Sequence, residues 1–344
     1  MDMKLMETVC NTPGIPGFEH PIQEVVTRNL QKVCNDVHTD RMGNVIGRKK
    51  SKLRGKKGKD PVRVILAAHA DEIGMVVLNI DSHGYINVRA VGGLDAINIV
   101  SQRVIIHGRK DVQGVIAPGA GSQGKAPEIK DLRIDTGLAA KEVKKLVEPG
   151  DPISFAQEFV QLNEKVLMAR NFDDRMGTFC LLEAMNRVGP TEAEIYAVST
   201  TQEEVGTRGI ETAAYAIQPE VGLAIDGSMP HGAHYDRSER TCEMGEGAGI
   251  YLIDGLTIGS PKLVELLFSL GKKYKIACQK NIGGGTDAHK IQRMGRGCLC
   301  TTVGVPTRYM HSTVQLCHED DVEATIQLLV RFMEHAHELG GNPI

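Results

Sequence analysis

The sequence predicts an α/β fold, a mixed sheet flanked by helices and interrupted once by a β-rich insertion, and three stretches carry that expectation. VRVILAAHADEIG is an almost continuous apolar run that ends in charged groups, the pattern of a buried parallel strand opening into a cleft. Residues 74 to 162 change to short β-rich segments between Gly, Pro, Asp and Ser turns. After Lys165, helical and strand-like runs alternate again. With 344 residues and 41% hydrophobic content, the chain can bury one large core and a smaller second one.

Taken in order, Ile22, Val25, Val26, Leu30 and Val33 recur at helical spacing, so Pro21 to Cys34 is an amphipathic helix. The basic stretch RKKSKLRGKKGKD at 48–60 has no interleaved aromatic residues and is expected to be a solvated loop between strands. The insertion contains MVVLNI, YINVRAV, RVIIHG, VQGVIAP and PISFAQEF as candidate strands. The returning α/β rhythm consists of VLMARNFDD, the helix RMGTFCLLEAMNRV, the strand EIYAVSTTQEE, and then VGLAIDGS. A helix PKLVELLFSLGKKYK, the apolar run CLCTTVGV and a closing helix from about Val322 to Leu339 complete the chain. The expected organisation is a catalytic domain at 1–72 and 165–344 with an inserted β-rich domain at 73–164.

Composition narrows the function. Forty Lys and Arg stand against 43 Asp and Glu, and a net charge of -3 offers no field for phosphate backbones or anionic lipid. No nucleic-acid or membrane partner is expected. The opening MDMKLMETVCNTPG carries acids and reaches Pro and Gly before any apolar run, so no secretory signal is expected there. The eight cysteines are scattered without a CxxC pair and are read as reduced thiols of a cytoplasmic protein. Cys298 and Cys300 are read as small buried hydrophobes rather than metal ligands.

Five segments deliver a histidine or carboxylate near the end of a hydrophobic run. They carry His69 with Asp71, Asp173 with Asp174, Glu203 with Glu204, Asp226, and His311. Parallel strands would bring these ends to one sheet edge. Crowded carboxylates repel, and a bound cation or raised pKa values relieve that repulsion. Imidazole nitrogen with carboxylate oxygen and no thiolate suits zinc, cobalt or manganese. At a strand end the Glu203–Glu204 doublet would point to opposite sides, one residue toward a metal and the other toward a water as general base. Asp174 and Arg175 are read as a buried structural pair. GGGTDAHK lacks the GK[ST] ending of a phosphate loop.

The ordered set HADEIG, NFDDRMG, TTQEEVGTRG, AIDGS, GGGTDA and RYMHS, over nearly the whole chain, resembles the dinuclear metallo-aminopeptidases that assemble as tetrahedral, dodecameric particles. This is the glutamyl, leucyl and lysyl aminopeptidase family, some members of which carry a cellulase (endoglucanase) label. The resemblance implies a zinc-peptidase-like catalytic domain and a barrel-like dimerisation domain. It implies an enzyme that releases N-terminal residues from peptides, using two divalent ions per subunit, zinc or cobalt with manganese admissible. By the same resemblance Asp173 bridges the ions, His69 and Asp226 complete one site, and Glu204 and His311 complete the other. Glu203 is then the general base, Asp71 orients His69, Thr286 and Asp287 shape the substrate pocket, and His289 is structural. A homo-oligomer built on dimers, up to a dodecamer, is implied as well.

Two segments depart from the family's pattern: 117–126, without a Pro-Pro-His continuation, and the long run after Asp226. Both bear on side-chain preference and on the oligomer rather than on the metal centre. The same kit of metals and acids also serves other two-metal amidohydrolases, deacylases and carboxypeptidases among them. A glycosidase would need only its carboxylate pair, and a metal-stabilised scaffold would need closed coordination shells.

Overall fold

The strand Arg63–His69 (β3) is buried at every position but its first, and it forms the middle of the larger sheet. In this computed structural model, residues 1–52, 60–118, 126–230 and 241–340 are described. β3 lies parallel between Glu194–Thr200 (β12) and Val221–Ser228 (β13), and β13 lies parallel to Leu299–Arg308 (β16). All four therefore end at one edge of the sheet, with Thr200 opposite His69 and Asp226 opposite Gly304. Antiparallel strands extend both flanks: Val45–Lys49 (β2) and Asp36–Thr39 (β1) beyond β12, and Gln315–His318 (β17) and Val166–Ala169 (β11) beyond β16. Helix Phe172–Arg187 (α5) crosses one face with nearly all its residues buried, and Glu319–His335 (α9) packs beside it.

The helix expected over Pro21–Cys34 is His20–Leu30 (α2), with Ile22, Val25, Val26 and Leu30 buried. Past Leu30 the chain turns instead, with the Val33 and Cys34 amides bonded to the Leu30 carbonyl. A helix that periodicity did not signal opens the chain, Met3–Asn11 (α1), capped by the Asp2 carboxylate on the Leu5 amide.

The β-rich segment forms a closed six-strand barrel from Gly74–Ile80 (β4), Ile86–Val91 (β5), Arg103–His107 (β6), Asp111–Pro118 (β7), Leu132–Asp135 (β8) and Pro152–Phe155 (β9). Alternate residues such as Met75, Val77, Ile86, Val88, Val104 and Ile106 fill its interior, a second core separate from that of the sheet. Of the basic stretch 48–60, Arg48 and Lys49 belong to β2 and are paired with β12 rather than lying in a loop; residues 53–59, 119–125 and 231–240 lie outside the described residues, so the expectations placed on those are not addressed by the fold.

Candidate metal centre and catalytic cleft

The five expected segments meet at the carboxyl edge of the parallel strands. His69 is the last residue of β3, and Asp173 lies at the kinked, non-helical entry to α5. Asp226 lies near the end of β13, and His311 follows β16 by three residues in a left-handed conformation.

Asp173 is the hub. Its Oδ1 stands 3.2 Å from Nε2 of His69 and its Oδ2 stands 3.4 Å from Nε2 of His311, so each imidazole faces a different oxygen of one carboxylate. His311 Nε2 is also 3.5 Å from the Glu204 carboxylate, and His69 Nε2 is 3.9 Å from that of Glu203. Ligand atoms of His69, Asp173 and Glu204 all lie within 4.8 Å of one another. Two donors each about 2 Å from a tetrahedral ion are themselves about 3.3 Å apart, so these separations suit shared cations as well as shared protons. Asp226 borders the same cavity of about 310 Å³ as Asp173, Glu203 and His311.

The electrostatics of the cluster are those of a site built for positive charge. Burial pushes Glu204 up to about 8, with the neighbouring Asp173 adding to the effect. Burial also raises Glu203 and Asp226 well above the carboxylate range. His311 is held up to about 9, first by its bond to Asp173. Burial opposes the charge on His69, yet Asp173 and Asp71 outweigh it and its pKa lies well above that of an ordinary histidine. Burial likewise works against the Asp173 charge, but the two imidazoles hold its pKa below its ordinary value.

The Glu203–Glu204 doublet is not on a strand. β12 stops at Thr200 and Gln202 is left-handed, so both glutamates occupy a turn and both side chains are turned inward, only 13% and 4% exposed. Asp71 shapes that turn: its two carboxylate oxygens accept the backbone N–H groups of Glu203 and Glu204, each at 3.0 Å. Nδ1 of His69 meets the Asp71 backbone carbonyl at 3.1 Å and lies 3.6 Å from its carboxylate. One acid thus touches both the imidazole and the glutamate turn.

The Asp174–Arg175 pair does not form. Asp174 accepts the backbone N–H of His69 and of Gly177. Arg175, wholly buried, donates to the carbonyls of Val9, Thr12, Gly14 and Ala70 and reaches Glu72 at 3.4 Å. Adjacent residues entering a helix point in different directions, and here each finds a different partner. Glu72, which the sequence reading passed over, is the buried counter-charge: it accepts from Arg170 at 2.7 and 3.1 Å and from Asn171 at 2.8 Å. The second acid of HADEIG, with the arginines of ARNFDDR, was the signal available for it.

Thr286 lines the cavity with Gly284, Gly285 and Tyr251, and its hydroxyl is bonded to that of Thr302. Asp287 is not at the cavity wall; it is buried behind it, accepting from Thr200 Oγ1 at 2.6 Å. His289 is buried, with its ring bonded to the Thr286 carbonyl. The cysteines, including Cys298 and Cys300, are free thiols. Gly93, two residues past barrel strand β5, was also unforeseen: it lies against the His311 ring, and a Cβ there would lie 2.6 Å from His311 Nδ1.

Residues 43–328 match the model of the M42 glutamyl aminopeptidase family. The lysyl aminopeptidase of Pyrococcus furiosus is 32% identical, with 100% of both chains covered. Among solved structures, the aminopeptidase APDkam598 from the archaeon Desulfurococcus kamchatkensis superposes with a TM-score of 0.91 at 31% identity, covering 96% of this chain and 94% of that one. A Pyrococcus horikoshii TET1 peptidase, which can assemble into a tetrahedron or a large octahedral shell, superposes with a TM-score of 0.84 at 29% identity, covering 96% of this chain and 98% of the other.

Proposed function

The chain belongs to the M42 glutamyl aminopeptidase family and is a peptide hydrolase, and from that premise we propose that it removes N-terminal residues from peptides at a dinuclear metal centre. The observation that carries the reading is Asp173, which offers one oxygen to the side of His69 and the other to the side of His311. A carboxylate placed in that way is what a bridging ligand requires. His69 and Asp226 are assigned to one ion, and Glu204 and His311 to the other. The mixed nitrogen and oxygen donors suit zinc or cobalt, with manganese also accommodated.

When bound, a pair of such ions supplies an acidified water and a polarised carbonyl. The chain's own residues do the rest. Glu203, buried beside His69, takes the proton from the attacking water and passes it to the leaving amine. Asp71 holds both the His69 ring and the turn that carries Glu203. Thr286 and the glycines before it form a wall of the pocket that receives the first side chain, while the next residue, Asp287, is anchored to Thr200.

Residues 73–164 are assigned as a dimerisation domain set into the catalytic domain of 1–72 and 165–344, and the assembly as a homo-oligomer built on dimers. Light scattering separates a dimer from a dodecamer. Eight free thiols fit a cytoplasmic protein. Among the described residues, no helix is long and apolar enough to cross a membrane.

The deciding assay compares metal-reconstituted hydrolysis of a panel of aminoacyl p-nitroanilides with hydrolysis of their N-acetylated counterparts. Turnover that requires both the metal and the free amine is expected. Equal or preferential turnover of the acetylated substrates would replace this reading with a deacylase-type amidohydrolase.

A further inference from the structure

We propose that Glu19 is a positioning residue for the general base: its buried carboxylate grips the backbone of the turn that carries Glu203, in concert with Asn44 and Asp71. The inference rests on the aminopeptidase reading and names a part of that site which the six sequence motifs do not contain.

The first observation is what Glu19 does not do. It stands at the N-cap of α2, where a side chain ordinarily bonds the amides of its own first turn, and it makes no such bond. Its Oε1 instead accepts the backbone N–H of Gly17 at 2.9 Å and that of Gln202 at 3.0 Å, a residue 183 positions away in sequence. Glu19 is only 5% exposed, so its carboxylate has been taken out of water to make these bonds. One turn along the same helix, Gln23 is equally buried and donates to the Ser199 carbonyl at 3.0 Å.

The second observation is the continuity of the pattern. Four consecutive amides after β12 are all held by side chains from other elements. Asn44 accepts the N–H of Thr201, Glu19 that of Gln202, and Asp71 those of Glu203 and Glu204, each at 3.0 Å. Asn44 precedes β2, Glu19 precedes α2 and Asp71 follows β3, so three elements fix one turn. A turn with a left-handed residue at its second position has no strand partner to define it. Side-chain acceptors supply that definition. Asp71 also touches His69, whereas Glu19 reaches the site only through backbone, so its effect can be separated from ligation.

General-base catalysis depends steeply on placement, and a displacement of about 1 Å can cost on the order of a hundredfold in rate. Glu19→Asp retracts the carboxylate by one methylene and keeps its charge; Glu19→Leu removes the acceptor and keeps the bulk; Glu19→Gln keeps an acceptor at the same reach. The test uses the full chain loaded with zinc or cobalt and the aminoacyl p-nitroanilide that the parent turns over best. Glu19→Asp and Glu19→Leu are expected to lower kcat by about 10- to 100-fold, with KM within twofold and the metal content of the parent. Glu19→Gln is expected to restore kcat to within about threefold of the parent.

Retention of kcat within twofold in both Glu19→Asp and Glu19→Leu overturns the proposal, as does a loss of metal in step with activity, or a Glu19→Gln variant as damaged as Glu19→Leu. Hydrogen exchange at Gln202, Glu203 and Glu204 reads the same claim without turnover: faster exchange in Glu19→Asp is expected, and unchanged protection sinks it. If the parent shows no amine-dependent hydrolysis, the functional reading has failed, and exchange alone decides whether Glu19 holds the turn. Should Glu19→Leu not fold, Glu19→Asp carries both measurements.

Discussion

Glu203 and Glu204 are neighbours in the chain whose carboxylates face different imidazoles. Glu204 lies 3.5 Å from His311 and belongs to the cluster of mutual ligand atoms, while Glu203 lies 3.9 Å from His69 and faces the cavity. Replacement of each by Gln removes one charge and leaves the shape. Glu203→Gln is expected to lower kcat by about 10²- to 10⁴-fold with both metals retained, the range of a lost general base. Glu204→Gln is expected to weaken metal retention first, with activity partly recovered at high metal concentration. Metal analysis after dialysis beside kcat separates the two, and a Glu203→Gln protein with near-parental turnover would remove that residue from the mechanism.

At the scale of elements, the barrel and the sheet meet at the site through Gly93. It packs against the His311 ring, and an added methyl would stand 2.6 Å from His311 Nδ1, closer than two such atoms can approach. Gly93→Ala is expected to displace His311 and, on the proposed dinuclear reading, to weaken one of two ions selectively, giving one tight and one weak metal in calorimetric titration against two tight ones expected of the parent. Parental binding of both would show that the ring moves aside without cost. A second element-scale expectation concerns Glu72, which neutralises Arg170 and reaches Arg175, both buried where β3, α1 and α5 converge. Removing one member of a buried ion pair strands the others, so Glu72→Ala is expected to cost about 3–5 kcal/mol in chemical denaturation. A loss below 1 kcal/mol would mean that water or the carbonyls around Arg175 already satisfy the charges.

These elements also show where sequence reasoning stops. Apolar runs with a terminal His or Asp announced β3, β13 and β16 because burial on both faces of a parallel sheet leaves a periodicity-free signature that is easily read. The convergence of His69, Asp173, Glu203, Glu204, Asp226 and His311 followed from that topology. What escaped was information carried by backbone amides and by distant partners. No spacing indicates that Asp71 would catch two amides 132 and 133 residues away, or that Arg175 would choose Glu72 and four carbonyls over its neighbour Asp174. The doublet looked like a strand end because its approach, IYAVSTTQ, is apolar. A left-handed Gln202 ends that strand, and left-handedness in a glutamine has no compositional mark.

For the whole molecule, the charge crowded at the sheet edge ties folding, metal and pH together. Without ions, Glu204 keeps its proton up to about 8 and His311 keeps its own up to about 9. In the unfolded chain a glutamic acid releases its proton near about 4.3 and a histidine near about 6.5. Both folded values are raised, so between these limits the folded chain binds more protons than the unfolded one and stability falls as pH rises. The His311 contribution is complete below about 6.5 and lost through about 9. The Glu204 contribution is already declining above about 4.3 and is spent by about 8. Asp173 runs the other way, its lowered value adding stability that disappears only in acid, outside this window. Chelated protein is therefore expected to show a melting midpoint that declines from pH 6 to pH 9. Ions must displace those same protons, so their affinity, and with it their stabilisation of the folded state, grows over the same interval. The metal-induced rise in midpoint should accordingly be larger at pH 8.5 than at pH 6, and calorimetric titration in buffers of different ionisation enthalpy should register proton release at pH 7. A metal-free midpoint that climbs toward pH 9, or an equal metal effect at both pH values, would mean that the carboxylates at this edge are not the proton reservoir that the ions replace.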